Sequence, residues 1–190
     1  NCGLPYCSGG VIQDQEELTL QTPQGFWDRF RIDVRVRHEA TAIHREEKTV
    51  TVKNLETGEV TTESYDKLIL APGARPTRPP IPGLDSDRLF SLRTVEDTLA
   101  IRAFVEREKP RTAVLAGGGF ISLELAENLA EMGVQVAIVQ RIPQVMHNLD
   151  YDMATFLHAH LRQKGMTLRL GASVAGLRQE GKTTTPPVEG

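Results

Sequence analysis

The chain opens Asn1-Cys2-Gly3-Leu4-Pro5-Tyr6-Cys7, and Cys2 and Cys7 are its only cysteines. A thiolate can attack a disulfide or be oxidised to a sulfenic acid, so a cysteine in this position is a candidate redox nucleophile. Three possibilities stay open on the residues alone. The two thiols form a dithiol pair, one works while the other stands by, or both are ordinary buried sulfurs.

A second constellation is AVLAGGGFISLELAENLAEMGVQVAIVQR, residues 113–141. A short apolar strand runs into Gly117-x-Gly119-x-x-Ser122 and straight into a helix, and a second strand ends about twenty residues later, which is the dinucleotide-binding arrangement. Gly117 permits the tight turn, and Gly119 lets a pyrophosphate approach the backbone. The chain from Gly117 through Gly118, Gly119, Phe120 and Ile121 to Ser122 is the candidate phosphate cradle, because the first N–H groups of a helix favour negative charge. Ser122 departs from the usual third glycine, yet it is small enough for close helix–strand packing. Glu124, one turn on, either reaches the reacting ring of the cofactor or is a plain surface carboxylate. At the end of the second strand an NAD site usually carries Asp or Glu for the ribose 2′-hydroxyl; here stand Gln140 and Arg141, which favour the 2′-phosphate of NADPH over NADH unless Arg141 is simply a solvated loop residue.

The elements that must position these groups follow from pattern. Thr22-Pro23 starts a helix to Phe30, with Thr22 as cap and Pro23 where its missing N–H is harmless. Segments 32–36, 40–43, 49–55 and 60–65 alternate as strands, and Glu56-Thr57-Gly58-Glu59 reads as a hairpin turn, which makes a small antiparallel meander. The apolar run Leu68-Ile69-Leu70-Ala71 predicts a strand covered on both faces, within a strand spanning 65–71. PGARPTRPPIPG, residues 72–83, holds five prolines and two glycines and predicts an inter-domain crossing. Thr94 with Asp97 predicts a helix running to about Glu108. Strands over 113–116, 134–139 and 166–170 alternate with helices over 120–132 and from Asp150 to Lys164, the pattern of a parallel sheet with crossover helices. The tail GKTTTPPVEG has no apolar face and reads as a frayed end.

Taken together, the order of motifs is specific. NCGLPYC, then YDKLILAPGARPTRPPIPG, then AGGGFISLELAENL about thirty residues on resembles the FAD-dependent pyridine nucleotide-disulfide oxidoreductases, in the branch of coenzyme A disulfide reductases and NADH oxidases or peroxidases. The resemblance implies a Rossmann-like FAD/NAD(P)-binding α/β fold with a β-meander, divided into part of an FAD-binding domain (1–80) and part of an NAD(P)-binding domain (84–190). It implies that Cys2 is the reactive cysteine and Asn1 a contact for the thiol substrate. Cys7 departs from the aromatic or aliphatic residue usual there; dithiol relatives have this spacing, but Gly-Leu-Pro-Tyr marks the single-cysteine branch. By the same resemblance Glu39 and Ala40 meet the FAD adenine, Ala71-Pro72-Gly73 approaches FAD, and Arg29, with Arg31, could bind coenzyme A phosphates unless both simply face solvent.

The implied reaction passes a hydride from NADPH or NADH through FAD to sulfur at Cys2, with coenzyme A disulfide or another small disulfide or polysulfide as substrate. One alternative is an NADH oxidase or peroxidase using Cys2 as a sulfenic acid, and another is a nucleotide-binding module without redox chemistry. Family members carry an FAD glycine motif upstream and a dimerization domain downstream, so the resemblance implies an interior part of a longer homodimeric flavoenzyme, with little activity by itself.

Composition limits the alternatives. A net charge of −3 gives no basic field for nucleic acid, and no stretch approaches the roughly 18 apolar residues of a membrane span. Two cysteines without a wider framework point to a reducing, cytoplasmic setting. The histidines have no partners at ligand spacing, His158 and His160 falling on different helix faces, so no metal site is expected.

Overall fold

The computed structural model describes residues 2–180, 183–186 and 188–189. In chain order the elements are α1 (Leu4–Ser8), a 3-10 turn (Gln15–Leu18), α2 (Pro23–Phe30), β1 (His38–His44), β2 (Thr49–Asn54), β3 (Val60–Ser64), α3 (Val95–Glu108), β4 (Thr112–Ala116), α4 (Phe120–Glu131), β5 (Gln135–Gln140), α5 (Tyr151–Gln163), β6 (Thr167–Leu170) and four short strands, β7 (Ser173–Val174), β8 (Arg178–Glu180), β9 (Thr183–Thr185) and β10 (Val188–Glu189).

Contacts divide the chain into two units, Asn1–Leu18 with Arg75–Gly190, and Thr19–Ala74. The sequence placed the opening residues with the meander in a 1–80 domain. Instead α1 packs on α3 and α4, because Leu4 and Cys7 find cover with Leu18 against Ile12, Leu92 and Val95.

In the first unit β4, β5 and β6 form a parallel sheet in that order, with Leu115 opposite Ile138 and Ile138 opposite Leu168. Its core joins Ile138 and Val136 of the sheet to Leu125, Ala126 and Leu129 of α4, Ile101 and Val105 of α3, and Leu161 of α5. Local caps and turns set some of the helix ends. Thr94 accepts from the Asp97 amide at 3.2 Å while the Asp97 carboxylate accepts from the Thr94 amide at 2.9 Å, a reciprocal cap completed by Asp rather than Glu. α4 stops where Gly133 turns left-handed (φ 84°) and its N–H donates to the Ala130 carbonyl. Asp150 occupies the cap position of α5 as expected, but its side chain makes no capping hydrogen bond. The tail does not fray throughout: β8 pairs with β9 and β10 with β7, both antiparallel.

In the second unit β1, β2 and β3 form the expected antiparallel meander, and Thr22 caps α2 by accepting from the Gly25 amide at 3.0 Å. Two expected strands are not formed. Residues 32–36 are irregular, although Arg35 holds Asp33 and Glu63 by ion pairs of 2.8 and 2.7 Å. Residues 65–71 are irregular as well, and Ile69 is 88% exposed. A strand exists only through its hydrogen-bonded neighbours, and among the described residues no segment pairs with this run.

Candidate nucleotide turn and reactive thiol

The β4–α4 junction has the geometry its glycines predict. The Gly117 amide donates to the Val139 carbonyl at 2.8 Å, which extends the parallel ladder one residue past β4. Gly117 then adopts φ 113°, a conformation open to glycine and strained for other residues. Gly119 is the N-cap of α4 in extended conformation, and no side chain caps the helix there. A Cβ on Gly119 would meet nothing within 4 Å. The first turn of α4 therefore faces open space, the requirement for a phosphate approaching the backbone. Phe120 and Ile121 are exposed, and Ser122 is half-buried with its hydroxyl under Gly117.

Gly118 does a different job, one that its place in the motif does not announce. A Cβ there would lie 2.9 Å from Val145 Cγ1 and 3.2 Å from Val145 Cα, and the Gly118 carbonyl accepts from the Met146 amide at 2.7 Å. The turn thus rests directly on the loop that follows β5. The sequence gives no sign of this contact, since Val145 and Met146 belong to no motif. At the end of β5, the Gln140 side-chain oxygen accepts from the Arg141 amide at 3.2 Å, and Arg141 is exposed.

Cys2 and Cys7 are both free thiols in very different surroundings: Cys2 is exposed and Cys7 is buried. Asn1, the expected substrate contact, lies outside the described residues. Tyr6 faces α4, where the negative charge of Glu124, then burial, then Glu127 raise its phenol pKa above the usual value. Glu124 is half-buried, and its charge is felt by Tyr6 of α1. Just beyond α1, a Cβ on Gly9 would run into the side chain of Asn128, so the two segments meet at backbone distance.

The remaining predicted residues lie in the second unit. Glu39 and Ala40 sit on β1, an outer strand of the meander, opposite Lys53 and Val52 and just before a register shift. Ala71-Pro72-Gly73 is irregular and exposed, with Gly73 left-handed (φ 72°) and open around its Cα. Arg29 stacks over the Phe30 ring at 5.0 Å, and Arg31 over Trp27 at 5.9 Å. One depression of about 340 Å³ lies beside Trp27 and Ile32, and another of about 490 Å³ beside Lys109 and Met132.

A parallel sheet with an open glycine turn at a helix start defines a dinucleotide-binding α/β protein. The family model of pyridine nucleotide-disulphide oxidoreductases matches residues 4–189, and the chain belongs to that family. The coenzyme A disulfide reductase of Staphylococcus haemolyticus is 37% identical over 178 residues, covering 94% of this chain and 40% of that protein. The crystal structure of reduced Bacillus anthracis CoADR-RHD superposes with a TM-score of 0.89 at 43% identity, covering 99% of this chain and 34% of that one. A water-forming NADH oxidase from Lactobacillus brevis, solved with NADH bound, gives a TM-score of 0.85 at 31% identity and covers 99% of this chain and 41% of its own. The chain thus spans about 40% or less of the length of these relatives.

Proposed function

We propose that the chain supplies the reactive thiol and the nicotinamide-nucleotide turn of an FAD-dependent oxidoreductase that reduces coenzyme A disulfide or a related small disulfide or polysulfide. The observation that carries the proposal is the packing of α1, which follows directly on exposed Cys2, against α4, the helix of the glycine turn. Thiol and nucleotide elements share one unit. The similarity to coenzyme A disulfide reductases over 94% of the chain supports the substrate class.

In this scheme the Cys2 thiolate attacks one sulfur of the disulfide, forming a mixed disulfide on Cys2 and releasing one thiol once it takes up a proton. Bound FAD would supply the redox chemistry between the hydride donor and sulfur, so that with two electrons and a proton Cys2 returns to the thiolate and the second thiol is freed. The sum consumes one NAD(P)H, one proton and one disulfide, and yields NAD(P)+ and two thiols. Gly117, Gly119 and the first amides of α4, those of Phe120, Ile121 and Ser122, would hold the pyrophosphate, while Glu124 lies one turn further along the same helix. Gln140 and Arg141 place no carboxylate beside the ribose and favour NADPH. Ala71-Pro72-Gly73, with its open left-handed glycine, and Glu39-Ala40 form the backbone that meets FAD. Arg29 is the residue offered for the phosphates of the thiol substrate, and Asn1, outside the described residues, the one offered for its thiol.

Intact mass of the full-length protein, purified without thiol, tests this. A reductant-labile gain matching coenzyme A, lost in Cys2→Ser and kept in Cys7→Ser, supports it; a loss of only two protons, abolished by either substitution, sinks the single-thiol scheme. A second reading, an NADH oxidase or peroxidase that cycles Cys2 through a sulfenic acid, is favoured by the likeness to the Lactobacillus brevis oxidase. Oxygen or peroxide consumption without a disulfide substrate would select it.

A further inference from the structure

The loop under the glycine turn is held by a residue that no part of the scheme above uses. Val145 is fully buried, and its amide donates to His158 Nε2 at 3.2 Å. His158 stands on α5 and is 4% exposed, with the Tyr151 ring edge-on at 6.3 Å between centroids. An Nε2 that accepts a backbone N–H carries no proton, so the ring is neutral with its hydrogen on Nδ1. Burial and then the charge of Arg162 lower the His158 pKa, which favours that same form.

The histidine is not explained as filler. An apolar side chain would occupy the site at lower desolvation cost, but it would leave the buried Val145 amide without an acceptor. The same loop is constrained on its other side. Met146 is left-handed (φ 50°) and its amide donates to the Gly118 carbonyl, while the Gln144 side-chain Nε2 donates to the Leu149 carbonyl at 2.9 Å. A left-handed methionine persists only where its surroundings determine it.

We infer that His158 is a positioning residue for dinucleotide binding: by accepting from the Val145 amide it seats the loop after β5 beneath Gly118 and fixes the height of the glycine turn against the pyrophosphate. The inference rests on the proposed NAD(P)H function. The chain of contacts runs from His158 Nε2 to Val145, from Val145 and Met146 to Gly118, and from Gly118 to the open amides at Gly119 and Phe120. His158 itself touches no part of the nucleotide site.

The test compares wild type, His158→Leu and His158→Gln in the full-length protein. Leucine removes the acceptor and stays apolar, whereas glutamine offers an oxygen acceptor on a flexible stem. Three quantities are read: the dissociation constants for NADH and NADPH, the melting temperature, and hydrogen exchange at the Val145 amide. His158→Leu should weaken nucleotide binding about tenfold, the loss expected for one buried hydrogen bond, and speed Val145 exchange, with glutamine restoring most of both. Unchanged nucleotide affinity in His158→Leu, or equal loss in both variants alongside equal drops in melting temperature, overturns the inference. If wild type binds neither nucleotide while Val145 exchange still responds to the leucine variant, the NAD(P)H function is what fails, and the positioning role falls with it.

Discussion

The Arg102 guanidinium neighbours the Cys7 sulfur, which after Glu106 helps to raise the arginine pKa above its ordinary value. It also pairs with Glu106 at 2.9 Å and reaches the Ile12 carbonyl at 3.5 Å, so one arginine of α3 ties down the segment after α1. Cys7 is fully buried within that cluster, whereas Cys2, five positions earlier, is exposed. The expected outcome is selective chemistry. In the folded protein an alkylating reagent should modify Cys2 and spare Cys7, and both should react after denaturation. Cys7→Ala should retain the thiol-dependent activity and lower stability by roughly 1–2 kcal/mol, the loss of a small, fully buried side-chain atom. Comparable labelling of both cysteines in the native state would defeat this division of roles.

The three glycines of the turn should separate on substitution by alanine. Gly119→Ala adds a methyl group to open space at an ordinary φ of −88°, so the melting temperature should hold while the dissociation constant for NAD(P)H rises about tenfold or more. Gly118→Ala presses its methyl on Val145 and should lower stability by about 1–3 kcal/mol. Gly117→Ala is strained by φ 113° and should cost about 1 kcal/mol or more with little steric conflict, since the nearest atom is Ser122 Oγ at 3.8 Å. Equal melting temperatures for all three variants would show that the turn is more pliable than this geometry implies.

His158 gives the fold a signed response to acid. Its pKa is lowered in the folded state, so above the unfolded value of about 6.5 both states are neutral there and the group contributes no pH dependence. As pH falls below about 6.5, the unfolded chain binds the proton first, and stability declines until the folded pKa is passed. The ring faces the Val145 amide from the loop and Arg162 and Tyr151 from its own helix. Thermal melts at pH 7.5 and 5.5 should therefore differ more for wild type than for His158→Gln. Identical differences would mean that the ring titrates as freely as in the unfolded chain.

Much of this site was legible in the residues, and the exceptions share a cause. The glycine turn, the Thr22 and Thr94 caps and the parallel strands are dictated within a few residues, so 113–141 and 94–108 read directly from sequence. Contacts between distant segments were not. Nothing local reveals that Gly118 rests on Val145, that His158 accepts its amide, or that α1 joins α3 and α4 rather than the meander. The apolar run 68–71 was misread for a related reason: its composition fits a buried strand, but pairing is a property of neighbours, and the described residues supply none.

Tyr6 and Glu124 are the clearest electrical link between the thiol segment and the nucleotide helix. Tyr6 stands on α1, four residues after Cys2, and Glu124 lies on the second turn of α4, with Glu127 one turn further. Glu124 is the first cause of the raised Tyr6 pKa, ahead of burial and Glu127, because a phenolate would stand beside an existing carboxylate. Removing that charge should let the phenol ionise at lower pH. The difference in tyrosinate absorbance between the full-length protein and its Tyr6→Phe variant isolates this group during an alkaline titration. Its midpoint should move down in Glu124→Gln and by less in Glu127→Gln. If Glu127→Gln has the larger effect, the phenol faces the outer carboxylate, and the coupling between thiol segment and nucleotide helix runs through the exposed side of α4.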